Sequence, residues 1–340
     1  MKLYLAPLEG ITTVTYRRAY ERNFGGVDRY FTPFIVNKKL GAREIEGILP
    51  ENNPGQVLIP QIMSNRAEDF IQVSKEIATY GYDTVNLNLG CPSGTVVSKK
   101  RGAGFLAYPD ELDAFLSEVY NKCPMKISIK TRIGLEDESE WENLLSIYEK
   151  YPMEELIIHP RLRADYYKAP IRMDAFAKAV ERIKVPICYN GEINSVEDVI
   201  RIRERFPLID RIMIGRGVLR YPHLMQQIRA VCQMTGNAEG FGGQTEEKRI
   251  GTTEQKNTTG MSQEELRNRI RVFHDELLED YRIIMSGDRN ALFKMKEIWT
   301  YMGESFEGAD KCLKKIKKAN HISDYKIAVN ELFFLNLRKF

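Results

Sequence analysis

Several short apolar runs of this 340-residue sequence end in residues that can do chemistry. Ala6-Pro7-Leu8-Glu9, Gln61, Asn88-Leu89-Gly90-Cys91-Pro92, Lys130-Thr131-Arg132, His159-Pro160-Arg161, Asn190-Gly191-Glu192 and Gly215-Arg216-Gly217 each stand at or just past the close of a run. Cys91 is the most pointed. A thiol with a reference pKa of about 8.5 stays mostly protonated at neutral pH, which suits a proton donor better than a nucleophile. The commoner fate of a free cysteine is simple burial. The rigid Pro92 and the position at the end of a run favour the chemical role. Gln61 offers a donor and an acceptor on one amide. The glycines of the last two groups let backbone N–H groups approach an anion closely, and Arg216 can form paired charge-assisted bonds to a phosphate.

The elements that must position these residues are legible in the pattern. Apolar, β-rich runs occur at Leu3–Ala6, Tyr30–Phe34, Val57–Gln61, Thr84–Leu87, Ile127–Thr131, Leu156–His159, Val185–Asn190 and Arg211–Ile214. Most are followed by an amphipathic stretch. Helix starts are signalled at Ser64, at Pro109-Asp110-Glu111 and at Asn194-Ser195. Alternating strand and helix patterns imply parallel strands with helical crossovers. Eight such units in the first 234 residues predict a (β/α)₈ TIM barrel rather than an open doubly wound sheet. In such a barrel the strand ends converge on one mouth, and a phosphate commonly sits on the loops after the last two strands. Lys130 and His159 there can face the electron-rich edge of a flavin ring. A salt bridge at the rim and a structural hydrogen bond are the plainer readings of the same two residues.

Residues 235–262 are rich in Gly, Thr, Gln and Glu without apolar periodicity and predict a flexible polar linker. Beyond it, Leu266, Ile270, Phe273, Leu277 and Tyr281 share a helical face, so 263–340 is expected to form a small all-helical domain of three to five helices. Lys311, Lys314, Lys315, Lys317 and Lys318 make it locally basic, although the whole chain carries only +3. A run of this kind is ordinarily a solvated helix face. The five cysteines, at 91, 123, 188, 232 and 312, are scattered, which argues against a disulfide framework and a zinc site. No metal is expected, and a reducing cytoplasm fits best. No apolar stretch has membrane-spanning length, and no obligate protein partner is evident.

The sequence resembles the tRNA-dihydrouridine synthases over nearly its whole length. Ala6-Pro7-Leu8-Glu9-Gly10 is similar to that family's opening Ala-Pro-Met-x-Gly, with Leu8 in place of the common Met. Asn88-Leu89-Gly90-Cys91-Pro92, followed by Gly102-Ala103-Gly104, and Lys130-Thr131-Arg132-Ile133-Gly134 match its Asn-x-Gly-Cys-Pro and Lys-x-Arg-x-Gly elements. Asn190-Gly191-Glu192-Ile193 and Gly215-Arg216-Gly217 match its late flavin loops. His159-Pro160-Arg161-Leu162 departs from the usual His-x-Arg-Thr at Leu162. The resemblance implies FMN as cofactor, NADPH as reductant and a uridine of tRNA as substrate. It implies FMN contacts from Pro7, Leu8, Glu9, Gln61, Lys130, His159, Asn190, Gly191, Glu192, Gly215 and Arg216. Cys91 would be the general acid. Asn88, Arg132, Arg161 and Lys168 would lie near the uridine or RNA backbone, and the tail lysines on phosphates. Two rivals share parts of this pattern: a flavin barrel acting on a free pyrimidine, and a non-catalytic RNA-binding barrel.

Overall fold

The computed structural model describes residues 1–236 and 260–338. They form two compact units. One comprises Met1–Val14, Val27–Glu192 and Ile202–Gly215; the other comprises Thr15–Gly26, Ile193–Arg201 and Arg216–Phe340.

The first unit holds every strand of the described residues: β1 (Lys2–Leu5), β2 (Arg29–Phe31), β3 (Leu58–Ile59), β4 (Gln61–Ile62), β5 (Thr84–Leu89), β6 (Lys126–Arg132), β7 (Leu156–His159), β8 (Ile187–Tyr189) and β9 (Arg211–Ile214). All pair in parallel, in the order β3-β2-β1-β9-β8-β7-β6-β5-β4. β3 and β4 are separated only by Pro60, which has no N–H to donate. They are two halves of one strand, one paired with β2 and the other with β5. The Ile35 N–H donates to the Gln61 carbonyl at 2.8 Å, and the Asn86 N–H donates to the Pro60 carbonyl at 2.9 Å, so the seam is bridged. The result is the expected eight-stranded barrel flanked by helices. Each anticipated run holds a strand. β2 stops at Phe31, short of Phe34, and β8 begins at Ile187, after Pro186. The helix anticipated from Ser64 begins at Ala67. Ser64 instead closes a local turn, its hydroxyl accepting from the Arg66 N–H at 3.1 Å.

Parallel strands buried on both faces usually read as unbroken apolar runs. Here two strands alternate. In β5, Asn86 and Asn88 share one face, while Val85, Leu87 and Leu89 share the other. In β6, Ser128, Lys130 and Arg132 oppose Ile127 and Ile129. The register sets Asn86 beside Ser128 and Asn88 beside Lys130, which layers the polar groups toward the carboxyl end. Beside these polar groups the strands contribute an apolar core cluster of Tyr4, Ala6, Phe31, Ile59, Ile157, Cys188 and Met213.

At the opposite, amino-terminal rim, Glu155 is completely buried. Its carboxylate accepts from Arg29 at 2.8 Å, from Arg211 at 3.2 Å and from the Tyr4 hydroxyl at 3.0 Å. Three strand starts are thereby tied to one charge.

The second unit is helical. Its tail contains the helices Gln263–Ile284, Asp288–Met302, Asp310–Lys318 and Ile322–Phe333, within the expected number. Ser262 caps the first of them, its hydroxyl accepting from the Glu265 N–H at 3.2 Å while the Glu265 carboxylate accepts from the Ser262 N–H at 2.7 Å. The anticipated face of Leu266, Ile270, Phe273, Leu277 and Tyr281 is buried throughout. Phe273 meets Tyr16 and Tyr20 of the chain's first helix (Val14–Asn23) and Phe24 just after it, with centroids 5.6, 6.3 and 5.4 Å away and rings near perpendicular. Arg18 pairs with Asp280 at 3.2 Å, and Arg22 pairs with Glu276. Deeper in the tail, Trp299 Nε1 donates to the Tyr325 hydroxyl at 2.8 Å, and His274 Nε2 lies 2.7 Å from the same oxygen. Burial lowers the His274 pKa. The linker anticipated over 235–262 lies, apart from its ends, outside the described residues. No described helix is long and apolar enough to cross a membrane.

Candidate active site

The carboxyl ends of the strands bring most of the anticipated residues of the first unit together. Gln61 is fully buried and joins two strands. Its amide nitrogen donates to Asn86 Oδ1 at 2.8 Å, and its amide oxygen accepts from Asn88 Nδ2 at 2.8 Å. The network continues from Asn86 Nδ2 to Ser128 Oγ at 2.8 Å. Asn88 Oδ1 accepts from the N–H groups of Gly90 and Cys91, both at 3.0 Å. Asn88 thus builds the Cys91 turn from beneath. On the far side of the turn, the Cys91 carbonyl accepts from the Ala103 N–H at 3.1 Å. Gly102 makes that approach possible. Its φ is +54°, and a Cβ there would fall 3.0 Å from the Cys91 Cβ.

Burial pushes the Cys91 thiol above its ordinary pKa, against the pull of a Ser93 backbone bond and of Lys130 and Arg132; Glu9 adds to the rise. The thiol is therefore protonated at neutral pH and half-buried at the mouth. Burial, with Arg132 adding to it, lowers the Lys130 ammonium to about 8. No hydrogen bond or ion pair holds that ammonium among the described residues. An unpaired cation in a desolvated mouth is costly unless something anionic completes it.

Arg132 is only 1% exposed and is committed to carbonyls rather than turned to the mouth. Its Nε donates to Gly90 O at 3.0 Å, and its Nη1 donates to Leu162 O at 2.7 Å and Tyr166 O at 2.9 Å. Its guanidinium lies 5.3 Å from the centroid of the Tyr167 ring, and Tyr167 stacks with His159 at 6.0 Å. Tyr166 and Tyr167 are 41% and 45% exposed, an aromatic wall not anticipated from the sequence. The adjacent Tyr-Tyr within a polar loop was its only signal. Arg161 is also buried. It donates to Ala169 O at 2.6 Å and to the Glu192 carboxylate at 2.8 Å, so Glu192 is engaged with a cation. Lys168 is exposed on the same loop.

At the last strands, Asn190 Nδ2 donates to Met213 O at 2.8 Å and ties the start of the loop after β8 to β9. A Cβ on Gly191 would lie 2.0 Å from the Tyr189 hydroxyl, so any side chain there would displace that ring. Gly215 approaches the opening loop, where a Cβ on it would meet Ala6 Cβ at 3.4 Å and Leu8 Cδ1 at 3.8 Å. Pro7 and Leu8 are half-buried and Glu9 is exposed. Arg216 opens the helix Arg216–Arg220 immediately after β9.

The tail lysines 311, 314, 315, 317 and 318 all lie exposed on the helix Asp310–Lys318. Lys315 is engaged by Glu331 at 2.6 Å. The other four have no ion pair among the described residues.

A parallel barrel with a polar inner layer, a protonated thiol and an unpaired lysine at its carboxyl mouth defines an enzyme of the barrel class. The sequence model of one family, dihydrouridine synthase, matches residues 4–282. The chain is 30% identical over 241 residues to a tRNA-dihydrouridine(16) synthase of Aquipseudomonas alcaligenes, covering 68% of this chain and 76% of that protein. It is 28% identical over 236 residues to a probable tRNA-dihydrouridine synthase 2 of Bacillus subtilis (strain 168), covering 66% and 70%. Among solved structures, histamine dehydrogenase from Rhizobium sp. 4-9 superposes with a TM-score of 0.51 at 10% identity, over 67% of this chain and 45% of that one, a likeness of fold alone. The chain belongs to the dihydrouridine synthase family and is an enzyme of that family.

Proposed function

We propose that this protein reduces uridine in tRNA to 5,6-dihydrouridine, with FMN as cofactor, NADPH as reductant and Cys91 as general acid. The observation that carries this reading is the pairing of a protonated, turn-held thiol with an unpaired lysine in a desolvated mouth. The donor set fits FMN. Lys130 offers a cation to the ring edge that gains negative charge, and Gln61 and His159 offer polar atoms nearby. Gly191 and Gly215, with Asn190 and Arg216 next to them in the chain, stand just past the last two strands, where barrels commonly hold a phosphate.

When bound, FMN supplies the hydride that adds to one carbon of the uracil C5=C6 bond. Cys91 gives its proton to the other carbon. Its thiolate then regains a proton from solvent, which a half-buried side chain can reach. The base must leave its stack to enter the mouth, at a cost of a few kcal/mol, so the RNA needs a grip elsewhere. The four unpaired lysines of the tail fit phosphates for that purpose. A cytoplasmic location follows from such a substrate.

The deciding experiment has two readouts. Purified protein should be yellow, with flavin absorbance, and tRNA from cells lacking it should lose dihydrouridine at a mapped position. A colourless protein would favour a non-catalytic RNA-binding barrel; a yellow protein with unchanged tRNA would favour a free pyrimidine substrate.

Two further outcomes are expected. Arg216→Ala should lose FMN on dilution and dialysis, because a guanidinium after the last strand can pair with the phosphate. Retention of a full flavin complement would remove Arg216 from that role. Neutralising Lys311, Lys314, Lys317 and Lys318 together should weaken tRNA binding and flatten the salt dependence, by up to ~0.9 in log–log slope for each phosphate that is no longer neutralised. Lys315→Gln alone should change little, since Glu331 already engages that ammonium. Equal slopes for the quadruple variant and wild type would take this helix out of the RNA interface.

A further inference from the structure

We infer that Arg132 is a positioning residue: it locks the Cys91 turn and the Tyr167 wall to each other, and so sets where the thiol stands against the ring it protonates. The inference rests on the reading of Cys91 as proton donor.

The peptide joining Gly90 to Cys91 is planar, so two anchors on it fix the Cα of Cys91. Both anchors are present. Its carbonyl accepts from Arg132 Nε at 3.0 Å, and its N–H donates to Asn88 Oδ1 at 3.0 Å. The peptide that follows is held through Ala103. With the backbone pinned on both sides, the thiol retains essentially its χ1 rotation.

The same guanidinium reaches the loop after β7. Nη1 donates to two carbonyls there, Leu162 O and Tyr166 O, and the guanidinium carbon sits over the Tyr167 ring, 5.3 Å from its centroid. A planar fork with five N–H groups can hold two loops in one geometry, whereas a lysine ammonium has no such fixed directions. At 1% exposure Arg132 offers almost no surface to an RNA backbone. No carboxylate forms an ion pair with it among the described residues. Its engagement with neutral carbonyls and a ring face is what a strut requires.

The test uses full-length, flavin-bearing protein and the rate at which iodoacetamide alkylates Cys91, followed by peptide mass spectrometry across pH. The charged groups facing the thiol are Glu9, Lys130 and Arg132. Arg132→Lys keeps the charge and loses the fork. It should raise the limiting alkylation rate of Cys91 several-fold with little movement of the midpoint, while half-buried Cys123 reacts as before. Arg132→Met should raise both the limiting rate and the midpoint. In turnover, Arg132→Lys should lower kcat by roughly 10²-fold, the scale of a small misplacement of a reacting group, with KM for tRNA nearly unchanged. Tyr167→Leu keeps the Gly90 bond and should give a weaker version of the same pattern, which also serves if Arg132→Met does not fold.

An unchanged Cys91 alkylation profile in Arg132→Lys, with raised KM and normal kcat, would overturn the inference and make Arg132 an RNA contact. Equal acceleration at Cys91 and Cys123 would also overturn it, as general loosening. Failure of the proton-donor reading appears separately, as a Cys91→Ala variant that reduces tRNA at normal speed whatever Arg132 does to alkylation.

Discussion

Cys91→Ala is expected to reduce uridine roughly 10²–10⁴-fold more slowly than the wild type, the range for a lost general acid. Burial raises the thiol pKa, so at neutral pH the group carries the proton that the proposed role requires. The backbone of its turn is fixed by Asn88 and Ala103, neither of which depends on the sulfur. Removing the sulfur should therefore leave the turn, flavin content and NADPH oxidation intact. A structural cysteine would give the opposite pattern: a modest loss of stability and normal turnover per folded molecule. Single-turnover reduction of tRNA by pre-reduced Cys91→Ala at wild-type speed would end the general-acid assignment.

Glu155→Ala is expected to cost about 3–5 kcal/mol, because breaking a buried ionic cluster from one side leaves its partners charged and uncompensated. Arg29 and Arg211 would both lose the carboxylate, and the Tyr4 hydroxyl would lose its acceptor. Such a loss is a large part of a typical folding free energy. It should appear as a much lower urea midpoint with an unchanged slope. Glu155→Gln keeps an acceptor and the volume, so it should fall between. The cluster lies at the amino-terminal rim, away from the mouth where barrel chemistry occurs, so kcat per folded molecule should hold. A midpoint within experimental error of wild type would show that the arginines find water or other acceptors.

Much of the barrel was legible because its strands are short β-rich runs punctuated by polar turns. Their ends blurred where local chemistry decides: Pro186 delays β8, and Pro60 divides one strand into two. The mouth residues were legible because polar groups at strand ends are hard to explain otherwise. Their individual tasks were not. Asn88 and Arg132 were anticipated near substrate, but Asn88 bonds the Gln61 side chain and the backbone of its own turn, and Arg132 bonds carbonyls of loops brought close only by folding. Glu155 escaped because it stands outside any apolar run and its partners are 126 and 56 residues away. The alternation in Thr84–Leu89 and Lys126–Arg132 was present in the sequence and marks the polar inner layer; parity within a strand was the unused signal.

The contacts between the first helix and the tail bear on how the chain is made. Tyr16, Tyr20 and Phe24 leave the ribosome early, yet the ring they pack against belongs to Phe273. Arg18 waits for an aspartate 262 residues later, roughly 13–50 s of synthesis at ~5–20 residues per second. Throughout that interval an aromatic face of the nascent chain stays open to solvent. It is then a ready target for chaperones, or for a neighbouring chain on the same messenger. Synthesis that stalls before residue 273 leaves that face permanently uncovered, so truncated products of this gene should aggregate even when every strand of the barrel has already been translated.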